Sequence, residues 1–182
     1  MVFDWLLRLA NAWRVARWRA AVARRGGRIG RGCTLQPGVR LRARPGAPII
    51  LGDGVRLMRG VVLSTVPGGR IQLEDRVYVG EYGVLESAVS VTIGRDTIIA
   101  PHAVIADTGE PGADPAPIRV GRDVWFGAGV KVVGGVTIGD QAVLGAGAVA
   151  ADDVPERGVA LGVPARVVRL RGAPPEKGQP DR

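Results

Sequence analysis

The sequence predicts an all-β fold, a parallel β-helix of about six coils preceded by an N-terminal α-helix. Two observations support this prediction. Aliphatic residues recur at six-residue intervals from residue 29 to residue 150, whereas residues 2–25 carry apolar side chains at helical spacing. The composition agrees, because 28 glycines and only 4% aromatic residues suit tight corners around an aliphatic core.

The six-residue repeat supplies eighteen positions that are expected to point inward, and seventeen of them hold Ile, Leu, Val or Phe. These positions are Ile29, Leu35, Leu41, Leu51, Leu57, Leu63, Leu73, Val79, Leu85, Ile93, Ile99, Ile105, Val120, Phe126, Val132, Ile138, Leu144 and Ala150. Six residues provide one short strand and one corner, so three units make a triangular coil. Strands of successive coils then pair in parallel about 4.8 Å apart, and each buried aliphatic side chain contributes about 1.5–3 kcal/mol.

Departures from an 18-residue coil show where the chain leaves the prism. The first three coils advance by 22, 22 and 20 residues, the fourth by 27 and the last by 18. The longest insertion falls between Ile105 and Val120 and includes the acidic stretch DTGEPGADPAP. Its Gly and Pro content predicts a loop, and loops on a rigid scaffold often carry function.

The formal net charge of +8 is concentrated at one end of the chain. Residues 1–28 contain seven arginines and Asp4, a net +6, which leaves about +2 for the remainder. A basic face on the folded body would be expected for nucleic-acid binding, so the sequence predicts no nucleic-acid partner. The single Cys33 excludes an intrachain disulfide and suits a cytoplasmic protein. Arginines interrupt the apolar stretches of residues 1–28, so neither a signal peptide nor a membrane-spanning segment is expected.

The N-terminal segment 1–28 is predicted to form a basic amphipathic helix. One apolar stripe follows from the spacing of Val2, Leu6, Leu9, Trp13, Ala16, Ala20 and Ala23. This stripe either covers the open end of the first coil, packs in an oligomer or attaches residues 1–25 to the anionic inner face of a membrane. The β-helix is predicted over residues 29–157, a segment packing on it over 158–170, and a disordered tail over 171–182.

From Val120 to Arg169 the chain reads VGRDVWFGAGVKVVGGVTIGDQAVLGAGAVAADDVPERGVALGVPARVVR. This stretch resembles the hexapeptide-repeat acyltransferases, especially the maltose, galactoside and capsule-sugar O-acetyltransferases, and more distantly serine acetyltransferase. The resemblance implies a left-handed β-helix, a homotrimer with active sites between neighbouring prisms, and acetyl-CoA as co-substrate without a metal. It is the resemblance, and not the spacing, that implies the handedness.

The resemblance also implies roles for individual residues. Ala128 and Ala146 match positions whose small side chains let pantetheine approach the backbone, and otherwise they are ordinary corner residues. Arg166 and Arg169 match positions that suit the phosphates of CoA, and otherwise they belong to a solvated C-terminal segment. Trp125 matches a tryptophan beside the acceptor site, and otherwise it packs on the prism face.

The expected general base is missing from its usual place. The family places a histidine in or beside the loop after the fourth coil, where this sequence has Thr108 or Glu110, depending on the alignment. Three interpretations remain: His102 acts as the base from a corner of the preceding rung, Glu110 or Asp107 acts with a raised pKa in a closed cleft, or transfer proceeds without a base. Thr108 is then expected to line the acceptor site.

The sequence therefore predicts an acyl-CoA-dependent O-acetyltransferase that modifies a hydroxyl of a sugar or polysaccharide precursor. The alternative is a non-catalytic β-helix scaffold or binding module that has lost the base. A γ-class carbonic anhydrase shares the prism but needs three histidine zinc ligands, and this sequence contains one histidine.

Overall fold

The computed structural model describes residues 2–108 and 114–172, and the side chains of residues 9–108 and 114–172. It confirms the predicted fold class, a β-solenoid of parallel sheets with one N-terminal helix, α1 (Val2–Ala23). The chain visits three faces in turn. Face 1 contains β1 (Arg28–Ile29), β4 (Ile49–Leu51), β7 (Ile71–Leu73), β10 (Val91–Ile93), β13 (Ile118–Val120) and β16 (Thr137–Ile138).

The other two faces repeat this arrangement. Face 2 contains β2 (Thr34–Leu35), β5 (Arg56–Leu57), β8 (Tyr78–Val79), β11 (Ile98–Ile99), β14 (Trp125–Phe126) and β17 (Val143–Leu144), followed by β19 (Gly158–Gly162) and β20 (Ala165–Leu170). Face 3 contains β3 (Arg40–Arg42), β6 (Val62–Thr65), β9 (Val84–Ser87), β12 (Val104–Ala106), β15 (Lys131–Val132) and β18 (Val149–Ala150). We name the edges between them the 1–2 edge, the 2–3 edge and the 3–1 edge.

The core is the stack of inward residues that the repeat predicts. All eighteen are buried, with Ile29 the most accessible at 6%. The strands are short because each rung needs only one outward and one inward residue before the next corner. Residues 158–162 continue face 2 as β19, parallel to β17, and β20 returns antiparallel to β19. Within the C-terminal segment 171–182, residues 173–182 lie outside the described part.

The N-terminal helix covers the open end of the first coil, but with the face opposite to the apolar stripe, so the first of the three alternatives for that stripe is wrong. Val15 and Val22 are buried against the coil, whereas Leu9 and Trp13 of the predicted stripe are 55% and 64% exposed. The strands β1 and β2 present unpaired backbone groups that an apolar stripe cannot satisfy. Polar side chains of α1 do so instead. Leu35 N–H donates to Asn11 Oδ1 (2.9 Å), Arg14 Nε donates to Leu35 O (2.9 Å) and Arg19 Nε donates to Ile29 O (3.2 Å).

Asn11 joins the helix to the first coil through both atoms of its amide. Its Nδ2 donates to Cys33 O (3.2 Å) while its Oδ1 accepts from Leu35. Asn11→Ala is therefore expected to lower the free energy of unfolding by about 1–3 kcal/mol, because it leaves two backbone groups unpaired. Urea denaturation at one fixed protein concentration measures this change. Ala16→Gln, on the exposed side of α1, is the control, and an equal effect of both substitutions would contradict the assigned role.

Candidate functional site

The 2–3 edge changes character along its length. Its corners each contain one residue with positive φ: Gly38, Gly60, Tyr82, His102, Gly129 and Gly147. Tyr82 and His102 therefore project rings from the third and fourth coils, whereas the fifth and sixth coils have glycine at the equivalent position. A Cβ at Gly129 or Gly147 would meet no atom within 4 Å, so these corners border open space. Along this edge, the rings of Tyr82 and His102 are therefore followed by two corners with no side chain at this position, Gly129 and Gly147. We name this part of the 2–3 edge the bare edge.

His102 lies on this edge with its side chain exposed. Its φ of 62° is in the left-handed region, which costs free energy for a residue that is not glycine. Its ring stacks on Tyr82 with 5.5 Å between centroids and 11° between planes. The backbone N–H donates to Glu81 O at 2.9 Å, which fixes the corner. The imidazole is thus held in one place and remains accessible from solvent.

Ala128 and Ala146 extend the same edge. Both are exposed, and Gly147 N–H donates to Ala128 O at 2.8 Å, which places one corner directly on the next. Gly129 N–H donates in the same way to Pro101 O, the residue before His102. The structure therefore aligns His102, Ala128 and Ala146 along one edge. Tyr82, Gly129 and Gly147 were not predicted as part of this edge, although the coil advances of 20, 27 and 18 residues align all three with His102.

Trp125 lies on the adjoining face 2 as the first residue of β14, two residues after the 1–2 corner at Asp123. Its side chain is 52% exposed, and it pairs in register with Ile98 on one side and Val143 on the other. It also borders a surface cleft of about 650 Å³ that extends to the 1–2 edge, where Asp96, Asp123, Gln141, Arg157 and Arg171 contribute to the lining. This cleft lies on the opposite side of face 2 from His102.

Asp96 at the 1–2 edge is engaged in an ion pair. Arg76 Nε donates to Asp96 Oδ1 at 2.6 Å, and this hydrogen bond holds the pKa of the Asp96 carboxyl below its ordinary value. Partial burial acts in the opposite direction and has the smaller effect. Asp96 is therefore suited to ordering the corner rather than to accepting a proton.

The two arginines predicted to bind CoA phosphates lie on β20. Arg166 and Arg169 both have exposed side chains. Arg166 forms an ion pair with Asp152, which any phosphate at this position would have to displace. Arg169 stands opposite Val159 in the antiparallel pair. The hairpin thus places positive charge at the end of face 2 next to the sixth coil.

The loop candidates belong to a different edge. Asp107 at the 3–1 edge is completely buried, and its carboxylate accepts hydrogen bonds from Ser87 Oγ (2.7 Å), Ala88 N–H and Val89 N–H (3.0 Å). Its oxygens are therefore already occupied, which fits an anchor for the loop better than a base. Thr108 is exposed, and Glu110 lies outside the described residues. Within one chain, the loop and His102 stand on separate edges.

Neither a metal centre nor a membrane-spanning helix is found in the described part of the chain. No three His, Cys, Asp or Glu side chains among those residues cluster closely enough to hold a metal ion. No helix in residues 2–108 or 114–172 combines the length and apolar character needed to cross a bilayer.

Comparison with known proteins agrees with the repeat and the rung geometry. Residues 117–151 match the family described as bacterial transferase hexapeptide (six repeats). The matched residues contain β13 to β18, the last two coils of the solenoid. Relatives of this chain include the galactoside O-acetyltransferase of Escherichia coli (strain K12), 36% identical over 111 residues, which are 56% of this chain and 55% of the relative. These findings confirm the family resemblance predicted from the sequence.

Further relatives are also acetyltransferases by name. The putative lipopolysaccharide biosynthesis O-acetyl transferase WbbJ of Escherichia coli (strain K12) is 34% identical over 128 residues, 60% of this chain and 65% of the relative. A solved galactoside acetyltransferase in complex with coenzyme A is 29% identical with a TM-score of 0.53, covering 78% of this chain and 64% of that chain. The chain thus spans less than two thirds of the length of these relatives.

Proposed function

We propose that this chain transfers an acetyl group from acetyl-CoA to a hydroxyl of a sugar or polysaccharide precursor. The observation that carries the proposal is the bare 2–3 edge, which begins beside the His102 ring and ends at Gly145, where Leu161 of β19 packs opposite Arg166 of β20. An extended pantetheine chain needs backbone that it can approach closely, and CoA phosphates need guanidinium groups. The CoA-bound relative and the names of the sugar acetyltransferases support this interpretation.

In the proposed reaction His102 is the general base. Its imidazole accepts the proton of the acceptor hydroxyl as that oxygen attacks the thioester carbonyl, and it returns the proton to the departing CoA sulfur. The C–O bond forms as the C–S bond breaks, so the products are the O-acetyl sugar and free CoA thiol. Among the candidate bases with described side chains, His102 is exposed and Asp107 is not.

We also propose that the active enzyme is a homotrimer. In one chain the loop with Thr108 leaves the 3–1 edge, whereas His102 and the bare corners occupy the 2–3 edge. A neighbouring prism could set its 3–1 edge against this 2–3 edge and so complete a cleft for acetyl-CoA and the acceptor. In that arrangement Thr108 of the neighbour and Trp125 of this chain would line the acceptor side. Light scattering coupled to size-exclusion chromatography tests the assembly, and a monomer that turns over acetyl-CoA would contradict it.

A cytoplasmic location with peripheral contact to the inner membrane face completes the proposal. The Cys33 thiol is free and buried, and burial raises its pKa, as suits a protein kept in a reducing compartment. The exposed Leu9 and Trp13 give α1 an apolar outer side, and the guanidinium of Arg17 lies 5.3 Å from the Trp13 ring centroid.

Release of CoA thiol across a panel of sugar acceptors tests the transferase proposal. Turnover with at least one sugar supports it. CoA binding without turnover on any acceptor would favour the alternative, a binding module without catalysis. This alternative is supported by the sequence, which has Thr108 or Glu110 where the resemblance predicts a histidine.

Ala146→Trp is expected to weaken CoA binding by about tenfold or more, because a large side chain on the bare edge occupies the space proposed for pantetheine. Isothermal titration with CoA measures this affinity. Ala16→Trp is the matched control, since Ala16 is an exposed alanine of α1, at the other end of the prism from the sixth coil. Equal affinity in wild type and Ala146→Trp would remove the 2–3 edge from the CoA site.

A further inference from the structure

The described side chains of α1 leave one strand of the first coil without a hydrogen-bonding partner. They bind the open edges of β1 and β2, but none of those in residues 9–23 binds β3, which ends face 3. Arg40 N–H donates to Val61 O of the next coil at 2.9 Å, and hydrogen-bonding directions alternate along a strand. The N–H of Leu41 therefore points towards the open edge, as the N–H of Leu35 does towards Asn11.

A basic pocket lies at this open edge. It has a volume of about 390 Å³ and is lined by Trp18 and Arg25 from the helix side and by Arg42 and Arg44 around the backbone of Leu41. All three arginines are exposed, and none forms an ion pair with any residue whose side chain is described. Three guanidinium groups beside an outward N–H make a site for a phosphate.

Positive charge is concentrated at the same end of the whole chain, the N-terminal end where the pocket lies. Residues 1–60 contain thirteen arginines against Asp4 and Asp53, a net charge of +11. Residues 61–182 contain twelve basic and fifteen acidic residues, a net charge of −3. An anionic surface would therefore attract the N-terminal end of the prism and leave the C-terminal coils facing away.

We propose that the pocket formed by Trp18, Arg25, Arg42 and Arg44 binds the phosphate of an anionic lipid headgroup, so that the N-terminal end of the prism stands on the membrane. The inference rests on the proposed membrane contact and assigns it to residues beyond the helix. Leu9 and Trp13 on the outer side of α1 favour a lipid surface over a soluble phosphate or a nucleic acid, because they supply apolar groups for the interface.

Co-sedimentation with vesicles of phosphatidylcholine containing phosphatidylglycerol tests this site in the full chain. The double variant Arg42→Gln/Arg44→Gln is expected to lower the partition coefficient about 30-fold, since each arginine near an anionic surface contributes a factor of about five. Its charge-matched control is Arg119→Gln/Lys131→Gln, two exposed residues of the fifth coil, which should sediment like wild type. Acetyl transfer to a soluble acceptor, measured without vesicles, reports separately on the proposed function.

Three results would overturn the site. The first is that wild type fails to bind the anionic vesicles. The second is that both double variants lose the same affinity, because binding would then follow net charge alone. The third is that the pocket variant loses affinity for inorganic pyrophosphate while vesicle binding is unchanged, because the site would then serve a soluble phosphate.

Discussion

His102→Asn is expected to lower kcat for acetyl transfer by about 10²–10⁴-fold, the usual contribution of a general base. Asparagine tolerates the left-handed φ of 62° that this corner requires, so the substitution removes the base without forcing the backbone to move. The stack on Tyr82 is lost, but the corner remains held by the N–H bond to Glu81. Thiol release at saturating acetyl-CoA and acceptor measures kcat directly.

The comparison variant is Glu110→Gln, which removes the other candidate base that the loop sequence offers. If Glu110→Gln abolishes transfer and His102→Asn does not, the base belongs to the loop. If neither substitution changes kcat, positioning alone carries the reaction, since effective molarities of about 10⁵ M or more are attainable without proton transfer to a side chain. Tyr82→Phe, which retains the stacked ring, should leave kcat near the wild-type value.

Asp107→Ala is expected to reduce the free energy of unfolding by about 3–4 kcal/mol. The buried carboxylate accepts three hydrogen bonds, and its removal leaves Ser87 Oγ and two backbone N–H groups without their partner. The backbone of the same residue closes the base of the loop, because Ala116 N–H donates to Asp107 O at 3.2 Å. Chemical denaturation at one protein concentration measures the loss.

The matched control is Asp114→Ala, which removes an exposed carboxylate on the far side of the same loop and should change stability by less than about 0.5 kcal/mol. Asp107→Asn should fall between the two, because an amide oxygen still accepts a hydrogen bond while its NH₂ faces donors. A variant Asp107→Ala that is as stable as wild type but inactive would restore Asp107 as a candidate base.

The repeat predicted the core because one inward residue per rung is a requirement that every coil repeats, so that Ile29 and Phe126 obey the same rule. Of the three alternatives for the apolar stripe of α1, the covering of the first coil was wrong, because the end of a parallel sheet needs hydrogen-bonding side chains and apolar spacing does not reveal that need. Asn11 could be recognised as a cap only once β2 was seen to end the sheet. The role of Asp107 was equally hidden, since Ser87 lies twenty residues away in sequence.

Part of the candidate site could be predicted from the sequence. Ala128 and Ala146 are one 18-residue coil apart, and the family resemblance implied a role for both. The repeat also places His102 and the loop at successive corners of one prism. It does not show which edges of two prisms meet, because a linear repeat contains no information about how prisms pack side by side.

The two ends of face 2 also bear on whether the solenoid could be extended into a fibre. A stack of parallel strands is a template for fibre growth, because each terminal strand can accept another copy. At one end of face 2, Asn11 and Arg14 form hydrogen bonds with the backbone groups of β2. At the other end, the last strand is β20, which runs antiparallel and therefore does not match a further parallel rung. Face 2 is thereby closed at both ends, so another copy cannot lengthen this face by adding a parallel rung.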